Sequence, residues 1–435
     1  MPDSSGPILV ADGFDGFRDA LAQTRWLLIT HIPYLRKPDG SIWMTKVWRQ
    51  DILARLDYMN QLTILAPCHS VAWEEGLVEL PRDALKRVHF DPLPAPKRLG
   101  TALLQLPLMT WRVVRALRHC DALRTSIAGW PIAPGLIANP LAVMMRKPFA
   151  IEVESTFWRL RDPAHARKRS RLRSRFNEFF VRWCIRRARV ALFTHSAYRD
   201  GLSAGAKAER VLLPTTWINT EDILDPETAR ARWLEAKERP QLLFAAALTP
   251  EAGMAMALDA VETLDQRGLD ADITVVGDGP LLGAWKDLAR RCRHVQITLI
   301  YKVTPETRLA LLRQHHVAII PSLADEPPRF LFDALSQGTP VIGSDVSGHR
   351  DILENKTCGR LFAAGDAGAL ADCVARTVEN LGELSASTDT ALATAQTLTH
   401  ERLHQIRARV FAQHLSVRRK GSADRPVLPP PPAFS

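Results

Sequence analysis

Along the second half of the chain, short apolar runs alternate with longer stretches in which apolar residues recur every three or four positions. Runs at 242–246, 273–276, 295–299 and 317–320 are strand-sized, and 253–267, 281–291 and 305–313 carry the helical period. Such alternation predicts a parallel sheet with helices on both of its faces. The run Val317, Ala318, Ile319, Ile320 suits a strand buried on both sides. A loop follows at 321–329, holding Ser322, two acids and a Pro-Pro pair. Phe330, Leu331, Ala334 and Leu335 then return to helical spacing, Gly338 ends that helix, and 340–343 reads as the next strand. The first half is less regular. It predicts strands at 25–32, 62–66, 87–90, 122–127, 149–153, 191–194 and 211–213. Between them lie a loop at 33–41, a helix at 42–58 and a helix at 97–118, the latter with a kink at Pro107. A helix at 398–414 closes the pattern.

These elements divide the chain into a short extension (1–24), a first domain (25–213), a linker containing a helix (214–240), a second domain (241–397), a closing helix (398–415) and a proline-rich tail expected to be disordered (416–435). The length of 435 residues and 46% hydrophobic content suit two domains of about 200 residues each. Six scattered cysteines without a Cys-x-x-Cys pair argue against a zinc site or a disulfide framework, and for reduced thiols in the cytoplasm. No basic start with an apolar core marks a signal peptide, and no run of eighteen apolar residues is present.

Charge changes this picture more than composition does. Residues 101–200 hold 19 Lys/Arg against 6 Asp/Glu, whereas 241–400 hold 13 against 20, so the two halves are suited to different partners. The stretch 162–189 is the extreme case. Arg169, Arg171, Arg173 and Arg175 lie among Leu172, Phe176, Phe179, Phe180 and Trp183, giving a helix with one apolar stripe and a cationic remainder. Such a helix can lie on an anionic membrane, each basic residue adding about 1 kcal/mol. Alternatively the stripe packs on the sheet and the arginines are solvated. Arg112, Arg115 and Arg118 extend the basic character to the preceding long helix. No nucleic-acid-binding motif accompanies it, so nucleic acid is not an expected partner.

The chemistry converges on the 317–345 unit. Asp325 sits in its loop and Asp333 about a turn and a half into its helix, both near a helix N-terminus that favours phosphate. An acid for sugar or ribose hydroxyls beside bare amides for a diphosphate describes a nucleotide-sugar site. The segment resembles the nucleotide-binding half of the family-4 retaining glycosyltransferases. Their signature is a Pro-Ser loop, Glu, seven residues, Glu, and a helix ending in a small-residue–Gly-Thr-Pro-Val run. Here it reads Pro321-Ser322, Asp325, Asp333 and Gln337-Gly338-Thr339-Pro340-Val341, with Gly277-Asp278-Gly279-Pro280 upstream and 359–366 downstream. The likeness covers about 241–380 well and the N-terminal half loosely.

The resemblance implies an α/β chain of the GT-B class, two Rossmann-like domains with parallel sheets facing across a cleft. It implies a donor in the second domain, an acceptor in the first, transfer with retention, and no metal or other cofactor beyond the nucleoside diphosphate sugar itself. Asp325 would contact the donor sugar, with Glu326 beside it, and Asp333 the ribose; Gly277 and Ser322 complete the donor loops. The family's diphosphate-neutralising Arg and Lys fall on Ala247 and Ala252, which leaves Lys302, Arg329 and Arg350 as replacements. On the acceptor side stand Gly40 and Ser41, in what is either an acceptor loop or a plain turn. Glu154 occupies a strand end where the family often has His; it could take a proton or an acceptor hydroxyl, or simply be salt-bridged. The basic face suits a lipid-linked or glycan acceptor, as in surface polysaccharide assembly, at the cytoplasmic face of the membrane. A catalytically inactive scaffold and a sugar-nucleotide epimerase remain as alternatives. A dinucleotide dehydrogenase is disfavoured because no third glycine follows Gly277 and Gly279 at the required spacing.

Overall fold

The computed structural model describes residues 14–69, 76–96, 98–129, 132–156, 158–159, 167–234, 239–354 and 357–416. The proline-rich tail and most of the N-terminal extension lie outside them. The described residues divide into two compact units, 14–194 with 198–213 and 404–416, and 195–197 with 214–403.

Unit 1 opens with α1 (Phe14–Ala22), β1 (Arg25–Ile29), β2 (Tyr34–Arg36), β3 (Ile42–Thr45), α2 (Lys46–Leu56), β4 (Gln61–His69), β5 (Leu77–Glu79), α3 (Arg82–Leu85) and β6 (Val88–Leu93). It continues through α4 (Leu99–His119), β7 (Ala122–Ser126), α5 (Pro134–Met144), β8 (Phe149–Val153), α6 (Lys168–Arg187), β9 (Val190–Phe193), α7 (Ser196–Leu202) and β10 (Glu209–Leu212). The sheet order is β10-β9-β8-β7-β1-β4-β2-β3-β5, with β6 also on β4. From β1 the chain builds outward to β4 and β6, then returns to place β7 on the other side of β1. The order therefore reverses between β1 and β7, and in open parallel sheets ligands bind beyond the strand C-termini at such a point.

One expectation for this unit needs correction. Ile42–Thr45 is not the start of a helix but strand β3, with Trp43 opposite Leu35 of β2 and Glu79 of β5. Ile42 and Met44 are buried while their neighbours are half-exposed, a period of two that a helical reading overrides. The Thr45 hydroxyl then accepts the Trp48 N–H at 3.4 Å, so the helix begins after it. Pro107 lies inside α4, and the helix continues on both sides of it.

Unit 2 begins with a 3₁₀ turn at Thr220–Asp222, then α8 (Pro226–Leu234), β11 (Gln241–Ala245), α9 (Met254–Gln266), β12 (Ala271–Val276), α10 (Leu282–Arg291), β13 (Val295–Ile300), α11 (Pro305–Gln314) and β14 (Val317–Ile320). It goes on through α12 (Arg329–Ser336), β15 (Val341–Ser344), α13 (Ser347–Leu353), β16 (Gly359–Phe362), α14 (Ala367–Glu379), α15 (Leu381–Ser385) and α16 (Ser387–Thr397). Its six strands are parallel, in the order β13-β12-β11-β14-β15-β16. Leu242 and Phe244 of β11 join the core on one face, with Trp285 of α10, while Leu243 joins the other, with Leu331 of α12. That is the helix–sheet–helix layering the alternation requires. Here the strand order reverses between β11 and β14.

The segment 214–240, expected as a linker, belongs to unit 2. Arg232 of α8 is buried and donates to the Leu312 carbonyl (3.0 Å), the His315 carbonyl (3.2 Å), the Thr339 hydroxyl (2.5 Å) and the Gln337 carbonyl. The last helix, α17 (His400–His414), belongs to unit 1 from His404 onward, where Phe411 stacks on Trp26 at 5.4 Å.

Candidate functional site

In unit 2 the loops at the reversal point are pressed together by glycines. Gly253, just before α9, has φ +76° and lies so near the Pro321 carbonyl that a Cβ would overlap it. Gly277, after β12, meets the Ala246 carbonyl in the same way. Gly348 packs on the Asp325 carbonyl and Pro327, and the Gly348 N–H donates to that carbonyl at 2.9 Å. The Ser344 hydroxyl donates to the Ser322 carbonyl. The loop carrying Ser322, Asp325 and Glu326 is thus clamped between the β11 loop and the start of α13. Asp325 itself is exposed, and its carboxylate accepts the Ser347 N–H at 3.4 Å.

Asp333 lies a little over one turn into α12 and is buried. Its carboxylate pairs with Arg308 of α11 at 2.6 Å and with Arg329 at 3.7 Å. Burial pushes its pKa up, against the pull of both arginines. Arg308 is a partner that the sequence reading missed. It precedes Asp333 by 25 residues and becomes a neighbour only because α11 and α12 pack side by side.

The three proposed replacement cations fare differently. Arg329 faces Asp333 and remains half-exposed; Lys302 is exposed on the loop after β13; Arg350 is engaged by Asp345 at 2.7 Å. Ala247 and Ala252 stand on the loop after β11, one exposed and one half-buried.

In unit 1 the reversal point holds a pocket of about 390 Å³, with His31, His69, Leu93, Met109, Ile132 and several prolines among its lining. Gly129, beyond β7, has φ +131°, and a Cβ there would sit 2.9 Å from the Cβ of His31. The two glycines Gly129 and Gly253 therefore play the same part in the two units: each closes the loops at the strand-order reversal. His31 was not anticipated. Its buried Nδ1 has no hydrogen-bond partner among the described residues, and burial lowers its pKa while Glu154 pulls it up and Arg124 down.

Glu154 directly follows β8, is partly exposed, and is held by Arg124 at 3.3 Å and the Ser126 hydroxyl at 3.4 Å. Gly40 and Ser41 form the turn of the β2–β3 hairpin. Gly40 has φ +82°, and the Ser41 hydroxyl donates to Asp39 at 2.7 Å. Neither residue lines the pocket.

Arg124 is the end of a buried chain of charges that runs through the unit. It pairs with Glu152, Glu152 with Arg407 at 3.2 Å, and Arg407 lies 3.2 Å from the His404 ring. The His404 Nε2 is 3.2 Å from Asp51, and the Tyr58 hydroxyl is 3.1 Å from His404 Nδ1. These distances suit a neutral imidazole that donates to Asp51 and accepts from Tyr58. Burial holds His404 well below its usual pKa. Burial also opposes the charge on Asp51, but Arg55 keeps its carboxyl well below the ordinary range.

On α6 the apolar stripe is split, with Phe180 and Trp183 packed against the core and the rest exposed. Val181, Cys184 and Ile185 are buried, whereas Leu172, Phe176 and Phe179 are 71%, 63% and 67% exposed, among the exposed Arg169, Arg171, Arg173 and Arg175. Helix α4 likewise exposes Leu103, Leu104, Leu108 and Trp111, with Arg115 over the Trp111 ring at 5.6 Å. Among the described residues, no helix is long and apolar enough to cross a membrane.

Comparison with known proteins addresses the same two units. Residues 239–380 match the model of the family described as glycosyl transferases group 1. An alpha-D-kanosaminyltransferase of Streptomyces kanamyceticus is 23% identical over 280 residues, covering 61% of this chain and 68% of that protein. An amylovoran biosynthesis glycosyltransferase, AmsK of Erwinia amylovora, is 26% identical over 183 residues, covering 40% of this chain and 44% of that protein. The structure of Anabaena HepE in complex with UDP and glucose superposes with a TM-score of 0.57 at 16% identity, over 89% of this chain and 99% of that one. The last likeness is one of fold.

Proposed function

We propose that the chain, whose residues 239–380 match the group 1 glycosyl transferases and whose fold is the GT-B fold of two Rossmann-like domains, transfers a sugar, with retention, from a nucleoside diphosphate sugar to a membrane-carried glycan acceptor. The observation that carries the reading is the clamped loop at the β11/β14 reversal, which holds Asp325 at its tip and leads into α12 with Asp333. Asp325 meets the donor sugar's hydroxyls. Asp333 keeps Arg308 and Arg329 in place near the N-terminus of α12, where a diphosphate gains from backbone N–H groups and from positive charge. Lys302 adds an exposed cation from the β13 loop. UDP is the first nucleotide to try, because the Anabaena structure holds UDP. The acceptor reading draws on the exposed apolar and basic faces of α4 and α6, which suit an anionic lipid surface at the cytoplasmic side. A scaffold reading is favoured by one feature, the alanines at 247 and 252.

Calorimetric titration of the full chain with UDP, GDP and ADP tests the proposal. One base is expected to bind, and Arg329→Ala to weaken it. Asp325→Asn is expected to keep nucleotide binding while sugar release from the matching nucleotide sugar falls by about a hundredfold or more. Silence toward all three nucleotides, with the protein folded, would remove the donor reading and leave the scaffold.

A further inference from the structure

Asp333 is a carboxylate with its partners already in place. The Arg308 Nε donates to its Oδ2 at 2.7 Å, and the Arg308 Nη2 lies 2.6 Å from the same oxygen. Its Oδ1 faces the Arg329 Nε at 3.7 Å. The Asp333 side chain is 3% exposed, against 20% for Arg308 and 45% for Arg329. A ligand arriving at this point of α12 therefore meets guanidinium groups before it meets the acid, and their two positive charges exceed its one negative charge.

The packing keeps the acid where it is. Near the start of α12 the Arg308–Asp333 pair links that helix to α11. At the far end the buried Arg232 donates to the Leu312 carbonyl in the last turn of α11, at 3.0 Å, and to the Gln337 carbonyl that caps α12. The neighbours Phe330, Leu331, Phe332, Ala334 and Leu335 are buried as well. Turning Asp333 outward to a ligand would take from Arg308 its counter-charge, a loss that one neutral hydroxyl does not offset. A site discriminates against a missing hydroxyl when the loss leaves one of its own buried groups unpaired. Here the buried acid keeps its arginines whether or not the hydroxyl is present.

We propose that Asp333 is a positioning residue for Arg308 and Arg329 and does not read the nucleotide's ribose, so that the donor site takes deoxyribonucleoside diphosphates as well as ribonucleoside diphosphates. The proposal rests on the donor reading of unit 2 and deepens it. Calorimetric titration of the full chain with UDP, GDP and ADP, each beside its 2′-deoxy and 2′,3′-dideoxy counterparts, tests it. For the base that binds, the three forms are expected to agree within about threefold. A hydroxyl read by a carboxylate would instead separate them by about tenfold or more. Asp333→Asn releases both arginines and is expected to weaken the three forms by the same factor, so that their ratio does not move. The comparison in the unmodified chain stands even if that variant fails to fold. A ribonucleotide that binds about tenfold or more tightly than its deoxy forms overturns the proposal. So does a folded Asp333→Asn protein that loses affinity for the ribonucleotide alone. Silence toward every nucleotide would sink the donor reading and this proposal with it, whereas a preference for ribose would sink this proposal and leave the donor reading standing.

Discussion

Asp333 shows how a residue can be found in the sequence and its circumstances missed. The eight-residue spacing from Asp325 marks both acids, but nothing in the sequence announces that Asp333 is buried against Arg308. Removing one member of a buried ion pair leaves the other charge without compensation, which costs more than the pair contributes. Arg308 is partly exposed and Arg329 stands nearby, so the loss in Arg308→Leu should be about 2–3 kcal/mol, toward the lower end of that range. Asp333→Asn, which keeps the volume, should cost less. Urea unfolding at constant m-value reads both directly. An unchanged midpoint in Arg308→Leu would mean that the pair does not hold α11 against α12.

At the scale of elements, the sequence is most legible where burial is two-sided. Strands β11 to β15 are short apolar runs between helical periods, and each was found within a residue or two of its bounds. The β2–β3 hairpin was missed because Ile42 and Met44 alternate over only four residues, too few to outweigh the helical pattern that follows. Helix α6 was located, with its stripe open to either a membrane surface or the sheet. The structure divides it: Phe180 and Trp183 pack against the core beside Val181, Cys184 and Ile185, and Phe176 and Phe179 stay exposed. On the proposed membrane role, their exposure among four arginines would divide lipid binding into two separable contributions, charge and insertion. Replacing Arg169, Arg171, Arg173 and Arg175 with Ser should release the chain from anionic vesicles at low salt. Replacing Phe176 and Phe179 with Ser should leave a binding that salt then removes. Co-sedimentation with phosphatidylserine-containing and neutral vesicles distinguishes the two. Retention of the arginine variant on anionic vesicles would defeat the membrane role.

For the whole molecule, alternation of strands and helices made the two-unit architecture readable, because each βαβ step is local in sequence. The buried charge chain was not readable, since Asp51, Glu152 and His404 come from distant parts of the chain and meet only in the fold. That chain makes stability depend on pH in a definite direction. His31 and His404 in unit 1 and His349 in unit 2 all have pKa values lowered by burial. In the unfolded chain each takes a proton near pH 6.5; in the folded chain each resists it. As pH falls below about 6.5 the unfolded state binds more protons than the native one, and stability declines by up to roughly 1.4 kcal/mol per pH unit for each such histidine. Asp333 works the other way as pH falls toward the ordinary carboxylate range, because a carboxyl with a raised pKa takes its proton earlier in the folded state. Asp51, held well below the usual range, adds a further loss below about pH 4. Denaturant unfolding followed by tryptophan fluorescence should therefore show stability falling from pH 7 to pH 5. His404→Gln, whose amide can still accept from Tyr58 and donate to Asp51, should flatten that slope for unit 1. If the wild type is equally stable at pH 7 and pH 5, His404 is protonated in the folded protein, and the buried chain holds a cation at that position instead of a neutral ring.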